Sequence, residues 1–331
     1  MSPIPLRVRS LGCPVAALVI ATLVPGLLVA EPLVTMNQNP MVLPYGLPLP
    51  LPARLASDGA GRYGLVVNWS NTATEESSGR WEATIDAETF DLRLRGEYAF
   101  GERWSVMGEL PWRSIGGGSL DGAIESWHDF WGLPEGDRKN MPQDRYLIEA
   151  QVDGQTVLLY DDDASGIADI PLRVGYQLLA DEKSAVSAWL SVDLPTGDAD
   201  DLLGSGATDV VASVAAQSQV AEHWQVFGQF DVAWLGDGDI VPQYQESWVV
   251  AGLAGVTWNA WRALDLTVQL YANSQVFDIP VTGLSGDAVV LGFGGTWRTE
   301  HGWRFDIGMN EDVQVDASPD ATFYALLQKS F

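Results

Sequence analysis

Between Phe90 and Phe100 the chain carries two interleaved rows of side chains, and this stretch constrains the possible folds more than any other. Phe90, Leu92, Leu94, Tyr98 and Phe100 form one row, with Gly96 among them; Asp91, Arg93, Arg95 and Glu97 form the other. Such period-two alternation specifies a β-strand whose two faces meet different surroundings. A soluble sandwich does not bury a row reading Asp-x-Arg-x-Arg-x-Glu against a dry core, because ionised groups there lose their hydration. A water-lined lumen accepts it.

The same alternation returns along the chain from Arg62 onward. Tyr63, Leu65, Val67 and Trp69 make one row, and Trp104, Val106, Leu110 and Trp112 another, with Ser105, Glu109 and Arg113 opposite. Later apolar rows are interleaved with Arg173, with Asp193, with Gln229 and Asp231, and with Gln269. Only Trp248–Trp258 is less clean, since Val249 and Leu253 sit on its second face. The final stretch, Ala321–Phe331, places Phe323, Ala325, Leu327 and Phe331 on one side and Thr322, Tyr324, Gln328 and Ser330 on the other. It resembles the closing strand of bacterial outer-membrane barrels, whose C-terminal aromatic is part of the signal read by the assembly machinery. These segments number about twelve, an even count of the kind single-chain bacterial barrels have. The expected fold is all-β: a transmembrane antiparallel barrel of about twelve strands.

The connectors alternate in length. Short turns fall at residues 101–103, 180–184, 220–223, 259–263 and 299–302; long acidic connections fall at Asn71–Ala83, 115–166, 195–208, 235–247, 274–287 and 313–320. Short periplasmic turns opposite long extracellular loops are the asymmetry of an outer-membrane barrel. Aromatic residues gather at strand ends: Trp104, Trp224, Trp258, Trp297, Trp303 and Phe331 near the short turns, and Trp112, Trp234 and Trp248 at the other end. Two such belts mark membrane interfaces. If Gly101–Arg103 is a three-residue turn, Phe100 faces Trp104, which sets Arg95 opposite Glu109 and Asp91 opposite Arg113 inside the lumen. Opposite charges across a ladder contribute roughly 0.2–1 kcal/mol each. The expectation is that these pairs narrow the pore.

Residues 1–30 read as a secretory leader: Arg7 and Arg9 precede an apolar run from Val15 to Ala30, with small residues at its end. Removing them leaves 16 basic against 44 acidic residues and takes the net charge from −26 to −28, which opposes any nucleic-acid partner. The single cysteine, Cys13, lies within that leader, so no disulfide framework is expected. Residues 31–61 hold Pro40, Pro44, Pro48, Pro50 and Pro52. Proline this dense cannot supply ladder donors, so this head is expected to line the periplasmic mouth, plug the lumen or hang free, and residues 62–331 to form the barrel.

Groups suited to catalysis are few. Ser126, His128 and Asp129 lie close together in the 115–166 loop, which suggests a lipid hydrolase, but residues so near in sequence rarely converge into a nucleophile–base–orienter set. Asp161, Asp162 and Asp163, and Asp198, Asp200 and Asp201, are carboxylate clusters that suit divalent cations at the loops or the ionic layer of lipopolysaccharide; a solvated acidic loop is the plainer reading. No cofactor is expected. The segment Leu194–Asp198 with Leu203–Gly206 and Asp209 resembles a loop of outer-membrane barrels associated with aromatic-compound degradation. Asn39–Pro48, Trp127–Pro134 and Trp234–Asp239 are similar to motifs of an uncharacterised bacterial barrel family, which implies a fold and a membrane location but no substrate. The expected function is a narrow, cation-preferring channel for passive passage of small solutes. The alternatives are a non-conducting structural or surface-binding barrel and, behind it, a lipid-modifying enzyme.

Overall fold

A computed structural model describes residues 31–131, 141–261, 263–314 and 317–331. The leader expected at 1–30 lies outside the described residues, as does the 132–134 end of the Trp127–Pro134 motif. In chain order the strands are β1 Gly61–Ser78, β2 Trp81–Phe100, β3 Trp104–Gly116, β4 Leu147–Val152, β5 Gln155–Tyr160, β6 Ala164–Ile167, β7 Ile170–Ala180 and β8 Ser184–Leu194. They continue as β9 Asp209–Ala221, β10 Trp224–Trp234, β11 Trp248–Trp261, β12 Leu264–Asn273, β13 Ala288–Arg298, β14 Trp303–Asp312 and β15 Ala321–Ser330; helices α1 and α2 span Asp121–Trp131 and Thr282–Ser285.

Strands β1–β3 and β7–β15 form one antiparallel wall. It closes where β1 meets β15, from Arg62↔Ser330 to Asn71↔Ala321. That gives the expected twelve barrel strands, and closure removes the unpaired sheet edges that lipid cannot satisfy. The β2–β3 register is the one the Gly101–Arg103 turn predicts: Phe100 faces Trp104, Arg95 faces Glu109 and Asp91 faces Arg113. Gly101 adopts φ +63°, the left-handed conformation this tight turn needs.

Burial is inverted relative to a soluble protein. Leu94, Leu110, Leu172, Leu190, Val268 and Ile307 are exposed on the outer face, whereas Asp91, Arg113, Ser191, Asp231, Gln269 and Asp306 are buried within. Trp104, Trp112, Trp224, Trp234, Trp248, Trp258, Trp297 and Phe331 are all exposed on the outer face. Trp303 is half-buried, because Lys329 lies 5.6 Å over its ring.

One expectation needs correction, and one long connection carries the hairpin that Asp153-Gly154 between Tyr146 and Tyr160 predicts. Asn71–Ala83 is not a loop: β1 and β2 run on to a turn at Gly79-Arg80, and their upper parts pair from Asn71↔Glu88 to Ser78↔Trp81. Thr72 and Thr74 favour strand; Glu75 and Glu82, which suggested a loop, occupy the face turned to water, while Glu76 turns inward and accepts from the Thr282 and Gly283 amides. The 115–166 connection is also structured. It contains α1, then the hairpin β4–β5 turning at Asp153-Gly154, then β6, which pairs with the upper end of β3. Positive φ at both Asp153 and Gly154 matches the turn expected from that sequence pair. Strand β4 extends the upper β2 edge from Trp81↔Val152 to Asp86↔Leu147. The long-loop end of the barrel therefore carries a folded cap whose apolar centre includes Ile85, Ile148, Leu158, Ile240, Phe277 and Leu284.

Candidate functional site

The proline-rich head is inside the barrel. Residues 32–53 are buried throughout. Their partners lie on strands around the whole wall, which only a segment threading the lumen can reach. The first arm rises along β12–β15. Gln269 accepts from the Leu33 amide at 3.0 Å, Tyr324 Oη accepts from the Val34 amide at 3.0 Å, and Asn310 Nδ2 donates to Thr35 Oγ1 at 2.7 Å. At the top, Asn39 Nδ2 donates to the Gly283 carbonyl at 2.9 Å. Met41, Val42, Leu43 and Tyr45 then enter the apolar centre of the cap, with Tyr45 edge-on to Phe277 at 5.6 Å.

The second arm descends along β7–β10. Asp209 accepts from the Gly46 amide at 2.8 Å and Gln229 from the Leu51 amide at 2.7 Å; Ser187 Oγ and Trp189 Nε1 both donate to the Pro52 carbonyl. Proline suits this role: an extended chain that forms no ladder leaves its carbonyls free for side-chain donors on the wall. At the base, Arg54 donates to the Asp181 and Ser184 carbonyls beside a short turn.

Where the first arm rises, the wall is thinned by glycine. A Cβ at Gly294 would lie 3.0 Å from Leu33 Cδ1 and one at Gly308 3.3 Å from it. The apolar second face of β11 finds its reason here too, since Val249, Ala251 and Leu253 pack in the same cluster as the plug residues.

All eleven residues expected to face the lumen are buried on the inner side of the wall: Asp91, Arg93, Arg95, Glu97, Glu109, Arg113, Arg173, Asp193, Gln229, Asp231 and Gln269. They divide by sign. On β2, β3 and β7, four arginines surround two carboxylates. Asp91 takes Arg93 at 2.7 Å and Arg113 at 3.2 Å; Glu109 takes Arg173 at 2.9 Å, Arg93 at 3.4 Å and Arg95 at 3.5 Å. On β8–β10 the inner face presents Asp193, Asp209 and Asp231 and, among the described residues, no basic group. The plug runs between the two walls, and Arg113 also donates to its Leu43 carbonyl at 3.2 Å, Arg95 to its Pro50 carbonyl at 3.2 Å.

At the short-turn end, Glu31 bridges two arginines, Arg62 on β1 and Arg304 on β14. Burial alone would raise the Glu31 carboxyl, but Arg62, Arg304 and Arg298 outweigh it and hold the group well below the ordinary carboxylate range. Burial, reinforced by Asp209, drives the Tyr45 phenol far above its usual value, so it stays protonated as it approaches Gln245 Oε1 at 3.5 Å. Trp189 and Tyr324 face inward; the reading of the sequence placed Tyr324 on the polar row of the last strand but counted neither among the lumen-lining residues. Each occupies the polar row of its strand, and that was the available signal.

The chemical candidates fare differently. Ser126 and His128 sit two apart on α1, positions that do not face each other on a helix. Ser126 Oγ donates back to the Gly122 carbonyl at 2.7 Å, and the His128 side chain lies outside the described residues. Asp161, Asp162 and Asp163 are exposed around a surface concavity with Asp144. Asp198 caps a short 3₁₀ turn by accepting from the Asp200 amide at 3.0 Å, with Asp200 and Asp201 exposed beside it. Among the described residues no group of three or more His, Cys, Asp or Glu is arranged to hold a metal ion.

A closed antiparallel wall, an apolar outer belt rimmed by tryptophan and a polar interior together define a β-barrel of the outer-membrane type. The chain belongs to the family described as a protein of unknown function, DUF3187, whose model matches residues 8–331. Among solved structures it is similar to an outer-membrane channel from Pseudomonas putida F1, with a TM-score of 0.54 and 14% identity over 84% of this chain and 98% of that one. Weaker likeness extends to the NanC porin (TM-score 0.44, 10% identity, 81% and 98% covered) and to a deletion mutant of the TodX monoaromatic hydrocarbon channel (0.43, 14%, 83% and 91%). No curated protein matches the sequence.

Proposed function

We propose that this protein is an outer-membrane channel for small polar solutes, delivered by a cleaved leader and held closed at rest by residues 31–55. The observation that carries the proposal is the composition of the interior. Structural barrels can fill their centre with apolar side chains, whereas this wall keeps two facing sets of charges and fills the space between them with a segment that does not belong to the sheet. A plug without ladder hydrogen bonds is removable in a way that wall strands are not. Cation preference in the open state is part of the proposal, since Asp193, Asp209 and Asp231 line one wall and the surrounding loops are acidic. Lipopolysaccharide and divalent ions at the outer loops, and the assembly machinery at β15, are the proposed partners.

The test is planar-bilayer recording of the full chain beside a variant that lacks residues 32–53. The full chain should be mostly silent, and the shortened chain should conduct in steps with potassium favoured over chloride. A shortened barrel that folds and inserts yet conducts no more than the full chain would reject the channel reading in favour of a non-conducting barrel. Chloride selectivity would reject the cation preference.

A further inference from the structure

At the base of the plug a narrow cleft opens between its two arms and the wall. It is lined by Arg62, Arg95 and Arg304 of the wall and by Pro50, Leu51 and Pro52 of the second arm. Glu31 fills the charged end, one carboxylate oxygen accepting from Arg62 and the other from Arg304. Two guanidinium groups converging on one carboxylate form a strong, directional site, occupied here by a residue of the chain itself.

Both arginines have a second partner fixed to the wall. Arg62 Nε donates to Glu97 at 2.5 Å, and Arg304 donates to Asp306 at 2.9 and 2.6 Å. Glu31 can therefore leave without stranding either guanidinium, the event that makes breaking a buried ion pair costly. Arg95 has no such partner close by: it meets Met107 Sδ at 3.2–3.3 Å, the Pro50 carbonyl at 3.2 Å and Glu109 only at 3.5 Å. With Glu31 withdrawn, three arginines face two close carboxylates, Glu97 and Asp306. Arg95, held only by a 3.5 Å contact to a Glu109 that it shares with Arg93 and Arg173, is then the least compensated cation beside an apolar strip of proline and leucine. Glu31 is also the only acidic residue between positions 31 and 57.

We infer, resting on the plugged-channel reading, that this cleft binds small amphipathic monocarboxylates. The ligand carboxylate replaces Glu31 on Arg62 and Arg304, its apolar body lies on Pro50, Leu51 and Pro52, and its binding frees the first arm of the plug. Glu31 acts as a tethered competitor. Apparent affinity scales with the fraction of molecules in which Glu31 is unseated, so removing that carboxylate strengthens binding rather than weakening it.

Sodium butyrate is the probe and its neutral isostere butyramide the control, titrated by calorimetry into the full chain in detergent at low salt. Glu31→Gln should bind butyrate at least tenfold more tightly than the parent, and butyramide should bind neither. Arg304→Gln should abolish binding. Arg62→Lys, which keeps the charge but loses the fork, serves as the milder variant and should weaken binding severalfold; migration on unheated gels reports whether each barrel is folded. Equal affinities of the parent and Glu31→Gln, or butyramide binding as well as butyrate, would overturn the inference. Binding is read without a bilayer, so a silent pore leaves a positive result standing, and a conducting protein blind to butyrate sinks this inference alone.

Discussion

Gly46 is the position where the proposed closed state is most sharply testable. It lies on the second arm just below the apex, and its amide donates to Asp209 Oδ2 at 2.8 Å. A Cβ placed there would sit 2.2 Å from Asp193 Oδ2 and 2.8 Å from Asp209 Cβ. The Asp193 carboxylate can swing aside, but Asp209 Cβ is one bond from the wall backbone and cannot. In Gly46→Ala, therefore, the plug must move. Overpacking of this kind costs about 1–3 kcal/mol, all of it charged to the closed state because the open state has no plug at that point. The open fraction should rise about 5- to 150-fold, and further if the hydrogen bond to Asp209 is lost. The measurement is the fraction of time open in planar bilayers. Gly96→Ala on β2 is the control, since a Cβ there meets nothing within 4 Å. An open fraction within twofold of the parent, or equal opening by Gly96→Ala, would refute the claim that the seated plug closes this barrel.

Two further outcomes follow from the same geometry. Glu109→Gln removes the carboxylate shared by Arg93, Arg95 and Arg173 and should destabilise the barrel by about 3–5 kcal/mol; urea unfolding from lipid vesicles with an unshifted midpoint would contradict it. Acid should open the channel through Glu31. Its carboxyl is depressed in the closed state, so the latch is complete above the free-carboxyl value of 4.5 and weakens progressively as pH falls below it. The open fraction should climb between pH 5 and pH 3 in the parent, and that component should vanish in Glu31→Gln; identical pH profiles would exclude the latch.

The wall was legible because membrane and lumen impose opposite demands on alternate residues, and period two records both. Leu92 and Leu94 could only face lipid once Asp91, Arg93 and Arg95 faced inward, and the Gly101–Arg103 turn then fixed the pairing with β3 without further information. The extended β1–β2 hairpin was misread because above the membrane the outer face meets water. The lipid-side demand lapses there, and Glu75, Ser77 and Glu82 look like a loop. The destination of residues 31–61 was left open for a related reason. A segment that joins no sheet has no period, and many of its partners lie more than 100 positions away. Two traces of it were nevertheless present. Val249 and Leu253 spoil the polar face of β11, and Gly294 and Gly308 remove side chains from the inner face of β13 and β14 where Leu33 lies; each fits an apolar segment inside.

The plug carries no charge from Pro32 to Ala53, yet it separates a wall of arginines from a wall of aspartates. In the proposed channel, opening would let water reach both walls, and hydration of Asp193, Asp231, Arg113 and Arg173 would favour the open state. The closed state must therefore be stabilised elsewhere, and the apex supplies it. Met41, Val42, Leu43 and Tyr45 are buried in the cap, and each such side chain contributes about 1.5–3 kcal/mol when removed from water. Glu31, at the opposite end, contributes one bridging carboxylate whose loss leaves every partner satisfied. Stability of the closed state and its release thus sit at opposite ends of the same segment. Substitutions at the apex should change how often the channel opens at rest without altering what opens it, whereas Glu31→Gln should both raise the resting open fraction and remove its dependence on acid.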